Sequence, residues 1–195
     1  MPQLPTAPMP DKVTFEVDQP TAMAVAIDEV SRQVRSKGVF KITIDFAYSL
    51  LSFDERDTLE SFLIDMGGSF SEFDVYVPTR SENNTVTSTT ATAAAAYPIN
   101  TTTLTLNGIV GSLKPNDLIR VNGKKSTYVV VQAFTPVSGS QQIRIKPPLR
   151  DALALGDTVI TKNVTVNVYL EKDSVKVNSK GMTASIKFSM VEAPR

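Results

Sequence analysis

The sequence contains no cysteine and no histidine. Without cysteine there is no disulfide framework, so packing and backbone hydrogen bonds alone must hold the fold. Together the two absences exclude zinc sites built from these ligands, cysteine nucleophiles and any imidazole acid–base relay. Tryptophan is missing too, and with it the aromatic that exposed sugar sites most often use. Neither sign of charge is in excess, since 20 Lys and Arg stand against 20 Asp and Glu. No net field draws in nucleic acid or an anionic membrane, and no sequence-specific nucleic-acid partner is expected. The short basic groups, Lys124-Lys125 and the spread Arg32, Arg35 and Lys37, read as solvated faces. No apolar run approaches the roughly 18 residues a membrane span requires. The Pro-rich residues 1–10 lack the basic and then apolar pattern of a signal peptide. Synthesis in the cytoplasm without a membrane anchor is the expectation.

What is present is enough apolar residue, 42% of 195, for one good core or two small ones. One helix is legible over residues 53–66. Ser52 and Glu55 have the S-x-x-E spacing of a reciprocal cap, and Leu59, Phe62, Leu63 and Met66 form a single stripe. Gly67-Gly68 supplies a left-handed stop, and Asp54, Glu55 and Asp57 crowd the positive end of the helix dipole. Most of the remainder alternates with period two. Val13, Phe15 and Val17 share a face, as do Ile42, Ile44, Phe46 and Tyr48, and then Phe73, Val75 and Val77. The pattern returns in Val164, Val166, Val168 and Leu170, and again in Ala184, Ile186, Phe188 and Met190. Such alternation belongs to antiparallel sheets with one wet face. Residues 23–34 fit a helix or a pair of strands, and strands are preferred.

Residues 81–100 break the pattern. Asn83-Asn84 is turn chemistry, and the Thr/Ala run that ends at Tyr97-Pro98 offers no apolar stripe, so the segment reads as a linker or an edge. Short strands follow at Leu104 and Leu106, at 118–121, at 128–134 and at Ile143 and Ile145, with Asn122-Gly123 as a hairpin signal. Their spacing suggests a small barrel. Leu113-Lys114-Pro115-Asn116-Asp117 resembles Leu153-Ala154-Leu155-Gly156-Asp157, either as a true repeat or as two similar turns. The expected fold is therefore mainly β: a β-sandwich-like core with one α-helix, built from residues 1–80 and 165–195, a linker at 81–100, and an inserted OB-like small β-barrel at 101–164.

Candidate chemistry is thin. Glu55, Asp57, Glu60 and Asp65 read as the exposed side of the helix. Asp151 and Asp157 would make a glycosidase-type carboxylate pair, but turn capping and salt bridging account for them more economically. Gly67-Gly68-Ser69 lacks the lysine of a phosphate-binding loop. The glycosylation-like triplets at Asn83-Asn84-Thr85, Asn100-Thr101-Thr102 and Asn163-Val164-Thr165 carry no meaning without secretion. Tyr128 and Phe134, six positions apart, would share a strand face and read as core rather than as a stacking platform. No catalytic residue, cofactor or metal is expected, and the chain reads as a scaffold rather than an enzyme.

The order of elements resembles the siphophage distal tail proteins. The resemblance runs from Phe40-Lys41-Ile42-Thr43-Ile44-Asp45-Phe46 through Leu51-Ser52-Phe53-Asp54-Glu55 and Phe62-Leu63. It continues to Gly67-Gly68-Ser69-Phe70 and the aromatic strand that closes on Val75-Tyr76-Val77-Pro78. The inserted segment is similar to another phage pattern, L-x-x-x-D-x-[IV] and then Pro147-Pro148-Leu149-Arg150 with Gly156-Asp157. The ending, from Leu170-Glu171-Lys172-Asp173 to Phe188-Ser189-Met190-Val191, resembles the last strands of the family. The resemblance implies a virion protein, made in the host bacterial cytoplasm, that forms a homo-hexameric ring at the tail tip or baseplate. Its implied partners are copies of itself, the tail tube protein, the tail hub or tip protein, and side tail fibres or receptor-binding proteins. A ring interface is expected along the sheet edges holding Phe73, Val75, Tyr76, Val77, Val166, Val168, Ile186 and Phe188. Two rival expectations stand beside it. One is a carbohydrate-binding module that grips host polysaccharide through the barrel. The other is a different structural component, a tube or terminator protein.

Overall fold

The computed structural model describes residues 2–18, 21–25, 32–36, 40–82 and 85–193. In chain order the elements begin with β1 Lys12–Asp18, β2 Thr21–Val25, β3 Arg32–Ser36, β4 Lys41–Leu51, α1 Phe53–Asp65, β5 Phe73–Tyr76 and the single turn α2 Pro78–Ser81. Then come β6 Thr90–Ala93, β7 Thr103–Asn107, β8 Leu118–Val121, β9 Thr127–Ala133 and β10 Ser140–Lys146. The chain finishes with β11 Thr158–Ile160, β12 Thr165–Leu170, β13 Lys176–Lys180 and β14 Thr183–Glu192. The fold is mainly β, with one helix of substantial length among the described residues. It comprises two compact units, Met1–Met9 with Glu72–Val168, and Pro10–Ser71 with Tyr169–Arg195.

The unit built from Pro10–Ser71 and Tyr169–Arg195 carries an antiparallel sheet ordered β13, β14, β4, β1. Alternation sets its faces: Ile42, Ile44, Phe46 and Tyr48 of β4 and Ala184, Ile186, Phe188 and Met190 of β14 are buried. The rings of Phe46, Tyr48 and Phe188 lie about 6 Å apart, with centroid separations of 6.1, 5.9 and 6.0 Å. Such aromatic groupings add to the area they bury. α1 packs on β14 and buries Leu59 and Leu63. Its start is a reciprocal cap. The Ser52 N–H donates to Glu55 Oε2 at 2.9 Å, and the Glu55 N–H donates to Ser52 Oγ at 3.4 Å. The helix stops where Gly67 takes φ +63° and its N–H bonds to the Ile64 carbonyl. β2 and β3 pair as an antiparallel hairpin. The strand reading of 23–34 thus agrees at Thr21–Val25 and Arg32–Ser36, while 26–31 lies outside the described residues, as do Lys37 and the Asn83-Asn84 turn.

The second unit holds a closed barrel of six strands in the order β10, β7, β6, β11, β8, β9. Its interior is filled by residues such as Leu104, Leu106, Ile119, Tyr128, Val130, Ile143, Ile145 and Val159. The segment read as a linker or an edge at 81–100 supplies one of its walls. β6 pairs with β7 on one side and β11 on the other, with Ala91 and Ala93 turned inward and Thr90 and Thr92 outward. Alanine is the apolar residue here because the taper of a small barrel needs small side chains at some inward positions. The barrel therefore runs from Thr90 to Ile160, not from 101. The same unit includes β5 and the first part of β12, which pair antiparallel from Thr165↔Tyr76 to Val168↔Phe73. Residues 2–4 cover the other edge of β5. The Asp74 N–H donates to the Pro2 carbonyl at 2.9 Å and the Leu4 N–H to the Asp74 carbonyl at 3.0 Å.

Two further expectations need correction. Asn122-Gly123 does not make a two-residue hairpin with both residues left-handed. Only Gly123 has positive φ, +74°, and the Lys124 N–H bonds to the Val121 carbonyl, so residues 122–126 form a longer loop. Tyr128 and Phe134 do not share a face either. The register of β9 against β10 shifts where Ala133 and Gln132 give way to Val130, leaving Val131 as the extra residue of a bulge. Tyr128 is consequently buried and Phe134 is exposed.

Candidate functional site

Tail-interface expectations on the sheet edges meet a simple steric fact. Phe73, Val75, Val77, Val166, Val168, Ile186 and Phe188 are all buried within the chain. Seven of the eight are therefore core packing and cannot be the side chains that meet another subunit; Tyr76 alone is partly exposed. Within each strand alternation put them on one face correctly, but that face is the buried one.

The carboxylates have local duties. Asp157 Oδ2 accepts from the Ala154 N–H at 2.8 Å, and Asp117 Oδ2 accepts from the Lys114 N–H at 2.7 Å. In both turns the residue before the Asp is left-handed, Asn116 at φ +75° and Gly156 at +86°. In both, too, a buried leucine precedes, Leu113 and Leu153. The two similar motifs are thus one turn geometry used twice, and the strands they launch, β8 and β11, lie side by side with Val121 opposite Val159. Burial raises the Asp117 carboxyl above its usual range, against the lowering effect of the Lys114 N–H and charge. Asp157 thus caps its own turn. Glu55, Asp57 and Asp65 are exposed on α1, and Glu60 is half-exposed. Among the described residues no group of carboxylates is placed to hold a metal ion, and no helix is long and apolar enough to cross a membrane.

The basic pair also has a structural task. Lys125 Nζ pairs with Glu72 Oε2, and the Lys124 carbonyl accepts from Arg120 Nε at 2.8 Å. Arg120 Nη1 reaches Asp74 Oδ1 at 3.0 Å and Thr165 Oγ1 at 2.8 Å. These contacts tie β5 and β12 to the loop after β8, which explains why Phe73–Tyr76 groups with the barrel rather than with the helix that precedes it.

A concavity lies on the sheet of Pro10–Ser71 and Tyr169–Arg195, on the face that carries Lys12, Asp45, Ala47 and Lys187. Its volume is about 310 Å³. Register builds it. Lys12 stands opposite Ala47, Ala47 opposite Lys187, and Lys187 opposite Lys176, so one row across four strands reads Lys-Ala-Lys-Lys. The adjacent row places Thr14 and Ser189 on either side of Asp45. Ser174 completes the rim, its hydroxyl donating to the Ser189 carbonyl at 3.0 Å. The alanine between two long lysines leaves the hollow. No carboxylate among the described residues forms an ion pair with Lys12, Lys176 or Lys187. Sequence reading passed over this site because its lysines are far apart along the chain, each an ordinary polar position of an alternating strand. Only the strand register brings them together.

No protein-family model matches the chain, and no curated protein matches it.

Proposed function

We propose that the chain is a structural virion protein, a distal tail protein that assembles as a homo-hexameric ring between the tube and the tip of a long non-contractile phage tail. One observation carries the reading. Two segments far apart in the chain, Pro10–Ser71 and Tyr169–Arg195, build through β4 and β14 a sheet carrying a capped helix, while the residues between them include the six strands of a closed small barrel. This is the organisation that the resemblance to siphophage distal tail proteins implies. A ring subunit needs surfaces for its neighbours and for a tube protein and a hub protein above and below, not a reaction centre.

The burial of the sheet residues moves the expected contacts to other side chains. Among the described residues, Leu50, Ile64, Phe70 and Met182 are the large apolar residues most exposed on the sheet-and-helix unit, Phe70 at 94% and Leu50 at 79%. Leu50 is also left-handed, with φ +57°, a conformation that disfavours a leucine. The register explains it: Ala184 faces Leu51 and Ile186 faces Tyr48, so β4 holds an extra residue there and Leu50 is turned outward. A bulge that aims leucine into solvent suits a subunit contact.

Size-exclusion chromatography with light scattering at high protein concentration, followed by negative-stain imaging, tests the proposal. The expected result is a closed ring, alone or with the tube or hub protein. A strictly monomeric particle under both conditions overturns it.

A further inference from the structure

We infer that the lysine-lined cavity is a binding site for a phosphate ester of a small polyol. The electrostatics of its first row call for an anion. Across a strand pair, side chains directly opposite lie about 5 Å apart at Cβ, and like charges there repel. Lys187 faces Lys176 in that way, and Lys12 approaches from the other side of Ala47. With strands spaced about 4.8 Å apart, the three lysines line a hollow one or two strands wide from two sides of Ala47. Ammonium groups on flexible stems suit the tetrahedral oxygens of a phosphate, which takes donors from several directions and has no need of a planar fork.

The second row restricts the ligand further. Asp45, flanked by the hydroxyls of Thr14 and Ser189, would repel a bare anion at the same place. It accepts a hydrogen bond from a ligand hydroxyl. Cations in one row and a carboxylate between hydroxyls in the next match a molecule with a phosphate at one end and hydroxyl groups beside it. A cavity of about 310 Å³ is of a size for a small organic phosphate.

Isothermal titration calorimetry of the full chain at low ionic strength tests this with three probes: glycerol 3-phosphate, inorganic phosphate and glycerol. Saturable binding of glycerol 3-phosphate, at least fivefold tighter than inorganic phosphate, is expected, with no measurable heat from glycerol. The exposed pair Lys176→Gln with Lys187→Gln is expected to weaken the ester at least tenfold while leaving the thermal melt in place. Lys114→Gln with Lys162→Gln, on the barrel, should change it less than twofold. Asp45→Asn should abolish the preference for the ester over inorganic phosphate. Absence of saturable binding, undiminished binding by the Lys176/Lys187 variant, or equal binding of ester and inorganic phosphate by the wild type each overturns the assignment. The titration reads a protomer's own site, so its outcome is independent of ring formation.

Discussion

Arg120 of β8 donates through Nη1 to Asp74 Oδ1 of β5 at 3.0 Å, and both side chains are largely screened from solvent, at 13% and 21% exposure. The same guanidinium reaches Thr165 and the Lys124 carbonyl, and Asn167 Nδ2 adds a longer contact to the same Asp74 oxygen at 3.4 Å. Removing one member of such a pair leaves a half-buried charge without its counter-charge, which is more damaging than the net worth of the pair. Arg120→Leu is expected to lower the unfolding free energy by about 3 kcal/mol and Asp74→Asn by about 1–2 kcal/mol. The double variant should be less destabilised than the sum. Urea unfolding of the three variants measures this; strict additivity would show that the pair is not coupled.

Gln141 and Ser126 make a contrasting pair within the barrel. The buried Gln141 amide accepts from the Leu113 N–H at 2.8 Å and donates to the carbonyls of Leu113 and Phe134, each at 3.0 Å. Gln141→Leu strands three backbone groups and should destabilise by about 2–4 kcal/mol. Ser126 Oγ is buried with no hydrogen-bond partner among the described residues. Ser126→Ala should therefore be neutral or stabilising by up to about 1 kcal/mol. Equal losses in the two variants would refute this account of their hydrogen bonding.

A third prediction contrasts two glycines. Gly111 has φ +97°, and a Cβ there would run into the Thr85 carbonyl oxygen, beside the bridge between Val86 and Gly111. Gly156 has φ +86° but open space around it. Gly156→Ala should cost about 1–2 kcal/mol, the left-handed penalty alone. Gly111→Ala should cost more than about 3 kcal/mol or prevent folding, since the backbone itself must shift. Thermal melts of the two variants, ranked the other way, would contradict the geometry.

Acid should destabilise the sheet-and-helix unit through two exposed carboxylates. The Ser52 backbone N–H and then its hydroxyl hold Glu55 below the usual carboxylate range, and the Ser49 hydroxyl and then its N–H do the same for Asp11. A folded-state pKa below the unfolded one gives stability that is fully present above the unfolded value and is lost as pH falls through the folded value. Asp117 works in the opposite sense, its raised pKa removing stability as pH rises through the carboxylate range. Between pH 7 and pH 3 the melting temperature of the Glu55→Gln, Asp11→Asn double variant should fall less than that of the wild type. An unchanged slope by circular dichroism would remove both groups from the explanation.

Leu50 offers a test that separates folding from assembly. Glycine adopts φ +57° without the steric penalty, so Leu50→Gly should leave the protomer as stable or up to about 1 kcal/mol more stable. If the proposed ring uses Leu50, the same change removes an apolar contact between protomers, and light scattering should then find less of the ring at equal concentration. A variant that assembles as well as the wild type would release Leu50 from the interface.

The parts of the fold legible in the sequence were those where a local device and a periodic pattern agreed. Ser52, Glu55 and Gly67 delimit α1 because capping is a contact between near neighbours, and β4 and β14 announce themselves by strict alternation of large apolar residues. The Thr90–Ala93 wall of the barrel was missed because alanine carries little hydrophobic signal and favours helices, although the same alternation is present in Thr-Ala-Thr-Ala. The exposed Phe134 was misplaced because a bulge, set by the partner strand, inverts the parity of β9. The lysine cavity was invisible for a similar reason: Lys12, Lys176 and Lys187 become neighbours only through pairing across four strands. Long-range register, not local propensity, decides each of these.

Residues 2–4 already occupy the outer margin of β5, taking its Asp74 amide hydrogen and returning one of their own to its carbonyl. A neighbouring chain that tried to zip a strand onto this margin would first have to peel that segment away. The arrangement works as a latch against edge-to-edge fibre growth at this rim, so the ring proposed above would have to be joined there by side-chain shape instead of by shared backbone ladders.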